Sequence, residues 1–216
     1  MASNRTKAHT RYYLANGEQA VGVTTALSIL NKPSLVVWAN RQGLAGIDTT
    51  KVKDQAADRG TILHLMICKE LQGEVPDLAE YAQADIDVAS LCLDSFHEWR
   101  KTHSLSTIHV EKPLISEKYR YGGTPDWYGL LDGIPTLLDF KTSNGIWNEY
   151  FYQVAAYREL IIENGHPVDK AHILRFSKGN NVEFEDRMIS SFTHEFSLFK
   201  HCLSIYQLLK VMGRRL

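Results

Sequence analysis

Residues 121–141, YGGTPDWYGLLDGIPTLLDFK, constrain the fold more than any other stretch. Asp132-Gly133 separates two alternating apolar runs, the strongest short-range signal for a β-hairpin closed by a two-residue type I′ turn. That turn sets the register. Leu131 faces Ile134, and stepping outward pair by pair brings Asp126 opposite Asp139. Counted from the turn, this pair is of the non-hydrogen-bonded kind, with Cα atoms about 4.5 Å apart. Like charges directly opposite are destabilising, so the two carboxylates call for a cation between them.

Lys141 lies two residues beyond Asp139. Side chains alternate along a strand, so it shares that face about 6.6 Å further on. Leu137, Leu138 and Phe140 around it are apolar and read as core. Two acids and a lysine beside a buried strand suit a divalent cation that activates water, with the lysine next to the nucleophile. The alternative is two solvated aspartates and a solvated lysine on an exposed face. Pro135 removes one ladder donor, which is tolerated near a strand start.

The spacing Pro125-Asp126, twelve residues, Asp139-Phe140-Lys141 resembles the PD-(D/E)XK nuclease signature. Gln153-Val154-Ala155-Ala156-Tyr157 is similar to the Q-x-x-x-Y motif of the RecB-type branch of that superfamily. Arg59-Gly60-Thr61-Ile62-Leu63-His64 resembles the branch's helix, whose histidine is a metal ligand. The three motifs occur in the family's order. A weaker likeness, V-T-T-x-L followed by K-P-x-L-x-x-W, points to stand-alone phage and mitochondrial exonucleases of the branch. A plain helical hairpin packing Leu30, Leu35 and Trp38 on the core accounts for that segment equally well.

The resemblance implies an α/β fold with a restriction-endonuclease-like core, a mixed central β-sheet flanked by helices. It implies one nuclease domain over residues 1–216: a helical lead (1–50), the core (55–187) and a C-terminal helix (190–216). The implied activity is metal-dependent phosphodiester hydrolysis, most readily as a DNA exonuclease. The implied metal ligands are His64, Asp126, Asp139 and the Phe140 carbonyl. Lys141 would orient the water, Gln153 would position Lys141 or the water, and Tyr157 would support the site or pack on nucleic acid. Mg²⁺ prefers oxygen ligands, and a histidine in the set leaves Mn²⁺ a strong competitor. Relatives often carry an acid four residues after the histidine, and here that position is Cys68. The alternative function is a non-cleaving nucleic-acid-binding or assembly subunit that keeps the nuclease fold.

Composition bounds these readings. A chain of 216 residues suits one domain. Net charge is −1, so a DNA-binding surface must be a local patch rather than a global field. Arg120, Arg175, Lys178 and the basic residues of the N-terminal arm are the candidates. Three scattered cysteines argue for a reducing, cytoplasmic setting, and they cannot supply the four thiolates of the iron–sulfur cluster some relatives hold. No apolar run approaches the roughly 18 residues of a membrane span, and residues 1–13 lack the apolar centre of a signal peptide. Oligomers, or recombination and replication partners, are compatible with this reading.

The remaining chain reads mostly as scaffold. Asn16-Gly17 suits a hairpin or extended lead-in, residues 23–30 a helix capped by Thr24, and Pro33 the start of a second helix ended by Gly43. A helix over 54–71 carries His64, and one over 83–102 buries Ile86, Ala89, Leu93, Phe96 and Trp99. Residues 106–116 read as the first core strand, with Glu111 inside it. Glu111 is either an acid near a second metal, as in several relatives, or half of a salt bridge. Lys118 and Arg120 fit phosphate contact or a blunted strand edge. A helix over 148–163 places Gln153 and Tyr157 on one face. A second hairpin surrounds residues 178–181, and a final amphipathic helix spans 190–212.

Overall fold

The computed structural model describes residues 10–177 and 183–213. Its organising hairpin joins β6 (Trp127–Leu131) to β7 (Ile134–Thr142). Asp132 and Gly133 take φ of 52° and 79°, as a type I′ turn requires. The pairing runs from Leu131↔Ile134 to Trp127↔Leu138 in the expected register. It stops there, one pair short of the two aspartates.

Among the described residues, seven further strands and six helices accompany the hairpin. β1 (Tyr12–Tyr13) and β2 (Gln19–Gly22) lead to α1 (Val23–Leu27), α2 (Pro33–Leu44), α3 (Thr49–Gln72) and α4 (Gln83–Arg100). β3 (Leu105–Val110), β4 (Leu114–Ser116) and β5 (Tyr121–Gly123) precede the hairpin. After it come α5 (Asn148–Glu163), β8 (Lys170–Phe176), β9 (Phe184–Ile189) and α6 (Thr193–Val211). The central mixed sheet has the order β3-β6-β7-β8-β9. Only β7 and β8 in it are parallel, and α5 makes the crossover that a parallel pair needs.

The sheet is covered on both faces. Trp127, Leu138, Phe140, Leu174 and Phe176 pack under α3 and α4 with Ile62, Ile67, Phe96 and Trp99. Tyr128, Leu137, Ala171 and Ile173 pack under α1, α5 and α6 with Ala155, Leu160 and Phe199. Strand β7 is buried continuously from Thr136 to Phe140, as expected of a strand with helices on either side.

Several sequence expectations are corrected. The strand anticipated over 106–116 is split. Pro113 has no N–H for a ladder, and Glu111 sits at φ 47°, outside any strand. β4 therefore leaves the central sheet and joins a second one, ordered β1-β2-β5-β4, in which β2 and β5 run parallel. α1 ends at Leu27 rather than at residue 30, and its N-cap is Gly22, with no side-chain cap from Thr24. α2 does not pack Leu35 on the core. Leu35, Val36 and Val37 are 50, 68 and 51% exposed, because three consecutive apolar residues spread around a helix instead of forming a stripe. The lead-in at residues 12–22 is a hairpin, with Gly17 at φ 82°.

Candidate active site

Three elements and one strand break converge at the open end of the β6–β7 hairpin. Asp126 precedes β6, and Asp139 and Lys141 lie on β7. His64 comes from α3, Tyr150, Gln153 and Tyr157 from α5, and Glu111 from the β3–β4 break. α3 passes Thr142 at Gly60, where a Cβ would sit 3.4 Å from the Thr142 side chain in ordinary contact. Gly123 lets α5 approach closely, since a Cβ there would meet the Tyr157 ring at 2.6 Å.

Asp126 lies beyond the ladder, and its side chain replaces the missing rungs. Its Oδ2 accepts the Phe140 N–H at 2.7 Å, and its carbonyl accepts the Glu111 N–H at 3.0 Å. Its Oδ1 lies 3.1 Å from His64 Nε2. The other ring nitrogen, Nδ1, lies 3.6 Å from Glu111 Oε1. Cys68 Sγ, one turn along α3, is 3.8 Å from both ring nitrogens. The Phe140 ring packs edge-on to His64 from the α3 side.

Asp139 has no exposed surface. Lys141 Nζ lies 2.6 Å from its Oδ2 as an ion pair, and Oδ1 has no hydrogen-bond partner. Lys141 Nζ also sits over the Tyr150 ring, 5.3 Å from its centroid. Gln153 Nε2 donates to the Tyr157 hydroxyl at 3.0 Å. Tyr150 is three residues before Gln153 and seven before Tyr157, on the same helix face. That spacing was the available signal for Tyr150, which the motif reading missed.

The electrostatics follow from burial and these neighbours. Burial pushes Asp139 up to about 6; the Lys141 charge works against this and the Asp126 charge adds to it. Burial also opposes the charge on Asp126, but His64, Lys141 and the Phe140 N–H together hold its carboxyl below the usual range. Burial pulls His64 down, and the Asp126 charge and hydrogen bond more than reverse that, leaving it well above 6.5. Burial likewise lowers Lys141, and the two aspartates outweigh it and raise it. Tyr157 stays a neutral phenol, raised by burial and by both carboxylates. The two acids are thus driven apart: one ionises readily, while the other holds its proton up to about pH 6.

Open space adjoins this cluster on two sides. A cavity of about 440 Å³ is bordered by Glu111, Thr124 and Tyr157, with Arg11 and Lys210 at its edge. Another, of about 730 Å³, is bordered by Tyr150 and Gln153, with Lys32 and the apolar Leu30, Leu35 and Val36.

The basic residues anticipated for nucleic acid are placed differently. Arg175 is 6% exposed. Its guanidinium donates to the Ser143 carbonyl at 3.1 Å and pairs with Glu183 and Glu185, so it braces the loop after β7 and is not a surface contact. Arg120 sits in the β4–β5 turn at φ 62° and is paired with Glu18. Lys178 and residues 1–9 of the N-terminal arm lie outside the described residues.

Comparison with known proteins places the fold. No protein-family model and no curated protein sequence matches the chain. Among solved structures, the chain is similar to a provisionally named exonuclease from Eubacterium rectale: TM-score 0.51, 11% identity, 73% of this chain and 69% of that one. It also matches the alkaline exonuclease LHK-Exo from Laribacter hongkongensis, with TM-score 0.43 and 12% identity over 88% of this chain and 86% of that one. At 11% identity the likeness to the first of these is one of fold alone: α/β, with a mixed central sheet between helices. Among the described residues, no helix is long and apolar enough to cross a membrane.

Proposed function

We propose that this chain is a divalent-metal-dependent nuclease that hydrolyses phosphodiester bonds in DNA, acting as an exonuclease. One observation carries the reading. A fully buried carboxylate, Asp139, keeps one oxygen, Oδ1, without a hydrogen-bond donor, while Lys141 stands 2.6 Å from Oδ2 and the Asp126 charge acts on the same group. Buried polar groups are otherwise satisfied almost without exception. Two carboxylates and one imidazole fit a hard divalent cation better than any other group, with Mg²⁺ and Mn²⁺ the natural occupants. Asp126 and Asp139 would hold it, together with His64 and the Phe140 carbonyl. Such an ion lowers the pKa of a bound water and neutralises charge on the phosphate.

The chain's own residues supply the rest. Lys141 is held protonated beside the two aspartates, and it would orient a nucleophile and stabilise negative charge growing on the phosphate. The Tyr150 face limits where that ammonium can move. Gln153 and Tyr157 hold each other and line the two cavities through which a strand would approach. The names of the structural neighbours and the RecB-type resemblance support an exonuclease over other phosphodiesterases. For nucleic-acid contact, the position of Arg11 and Lys210 favours them over the buried Arg175.

The decisive experiment is digestion of 5′- and 3′-labelled single- and double-stranded DNA with Mg²⁺, Mn²⁺ or EDTA. Metal-dependent release of mononucleotides from one end is the expected result. DNA binding without cleavage under every condition would transfer the chain to the class of non-cleaving binding subunits.

A further inference from the structure

We propose that His64, Cys68 and Glu111 form a second, thiophilic metal site, and that Zn²⁺ or a similar ion bound there switches the nuclease off. The inhibitory part rests on the function proposed above; the binding part does not. The three side chains offer nitrogen, sulfur and oxygen atoms that all lie within 4.8 Å of one another. Zinc binds at about 2.3 Å to sulfur and about 2.0–2.2 Å to nitrogen or carboxylate oxygen. Tetrahedral geometry with those bonds puts neighbouring ligand atoms about 3.4–3.6 Å apart. The observed separations are 3.6 Å from His64 Nδ1 to Glu111 Oε1 and 3.8 Å from Cys68 Sγ to Nδ1. Sγ stands 3.8 Å from Nε2 as well, so it lies beside the ring, and a turn of the Cys68 side chain or of the imidazole brings it to the Nδ1 side and closes the set, with a fourth position left for water.

Ligand chemistry separates this site from the one on Asp139. Sulfur selects softer ions and is a poor partner for Mg²⁺. The substitution is specific, since Cys68 stands four residues after His64, where the resemblance leads one to expect an acid. The outer partner is already in place as well. A metal-bound histidine usually donates its other ring N–H to a carboxylate, and His64 Nε2 lies 3.1 Å from Asp126 Oδ1.

That geometry makes the two ions competitors. A neutral imidazole has one free lone pair. Zinc on Nδ1 requires the proton on Nε2, so His64 can no longer bind an ion beside Asp126. Asp126 Oδ1 is then occupied accepting that N–H. The thiophilic ion therefore removes His64 from the hard-metal set and partly removes Asp126 without touching Asp139 or Lys141.

Co²⁺ serves as the spectroscopic probe, titrated into the wild type and into Asp139→Asn, Cys68→Ser and Glu111→Gln variants. Wild type and Asp139→Asn should both develop a thiolate-to-cobalt charge-transfer band with one equivalent. Cys68→Ser should lack it, and Glu111→Gln should keep it with at least tenfold weaker affinity. A band that survives in Cys68→Ser, or no band in the wild type, overturns the site. Circular dichroism confirms that each variant is folded, and Glu111→Gln, at a half-exposed position, provides the test if Cys68→Ser does not fold. Zinc is then titrated against Mg²⁺-dependent DNA cleavage, where Cys68→Ser should need at least tenfold more zinc for half-inhibition. Equal sensitivity would overturn the competition. If the wild type cleaves no DNA at all, the nuclease reading fails while the cobalt band still decides whether the site exists.

Discussion

Replacing Asp139 by Asn should stabilise the metal-free protein, by an amount that depends on pH. Asp139 is fully buried, and its pKa is raised from 3.8 to about 6. A carboxyl whose folded pKa is raised contributes stability that is complete below its unfolded pKa and is lost as pH rises through the folded value. At 1.36 kcal/mol per pH unit, the interval from 3.8 to about 6 corresponds to roughly 3 kcal/mol lost by about pH 8. The attraction to Lys141 is already inside that raised pKa, so the figure is a net cost. Asparagine has nearly the same shape and cannot ionise. The variant should therefore match the wild type near pH 3 and exceed it by up to roughly 3 kcal/mol near pH 8 in EDTA. For a chain of this length that is a rise in Tm of roughly 6–12 °C. On the proposed function, excess Mg²⁺ should reverse the order, because the wild type would bind the ion more tightly and gain stability from it. Thermal melts followed by circular dichroism at several pH values, with EDTA and with Mg²⁺, measure all of this. An Asn variant less stable than the wild type near pH 8 in EDTA, or a difference that does not change with pH, would refute the reasoning.

Other outcomes follow from the same geometry. Lys141→Ala should leave calorimetric metal binding largely intact while single-turnover cleavage falls by about 10²–10³, the usual loss for one transition-state donor. Affinity for Mg²⁺ or Mn²⁺ should tighten at least tenfold from about pH 5.5 to about pH 8, because protons on Asp139 and His64 compete with the ion; calorimetry in buffers of different ionisation enthalpy would reveal the released protons. DNA affinity should fall steeply with salt despite the net charge of −1, as filter binding across a salt series can show. Gly129→Ala should cost about 1–3 kcal/mol or more, since a Cβ there would lie 2.2 Å from the Ser106 carbonyl oxygen. Gly43→Ala in α2, where a Cβ meets nothing within 4 Å, should instead add about 0.5–1 kcal/mol in urea titrations.

The hairpin was legible because its information is local. Asp132 and Gly133 accept φ of 52° and 79°, and alternation carries the register outward from them. It was no longer legible at Asp126, where side-chain chemistry took over from the ladder: a carboxylate accepting the Phe140 N–H competes directly with the next strand pair. Distant pairings left no local trace. The parallel contact of β2 with β5 joins Val21 to Tyr121, and nothing in either segment names the other. Arg175 is buried and internally paired for a reason the sequence does contain. Residues 171–176, AHILRF, are apolar on both alternating faces, which marks a strand covered on both sides. An arginine inside such a run is buried and must find internal partners, here Ser143, Glu183 and Glu185. The proximity of Cys68 to His64 was readable from their four-residue spacing on a helix, but the third ligand was not, because Glu111 reaches them only through a break in a strand.

The position of Asp139 ties stability to chemistry. On β7, every residue from Thr136 to Phe140 is buried, and hydrophobic clusters clamp both faces of the sheet. A lone carboxylate in such a strand is destabilising unless something neutralises it. Lys141 does so only in part, since Asp139 remains above its ordinary pKa and its Oδ1 has no partner. A looser scaffold would relieve that by letting water in or by turning the side chain outward. The packed clusters prevent both, so the strained ligand stays fixed, and the cation it is proposed to hold would release the strain on binding. Weakening the clamp should therefore relax Asp139 and cost cation affinity before it costs the fold. Leu137→Ala, directly beneath the site, offers that separation: about 2–5 kcal/mol of stability should be lost, with the Asp139 pKa moving back toward 3.8 as water enters. A variant that loses stability while Asp139 keeps its raised pKa, followed by NMR of the carboxyl carbon, would show that the clamp does not set the site.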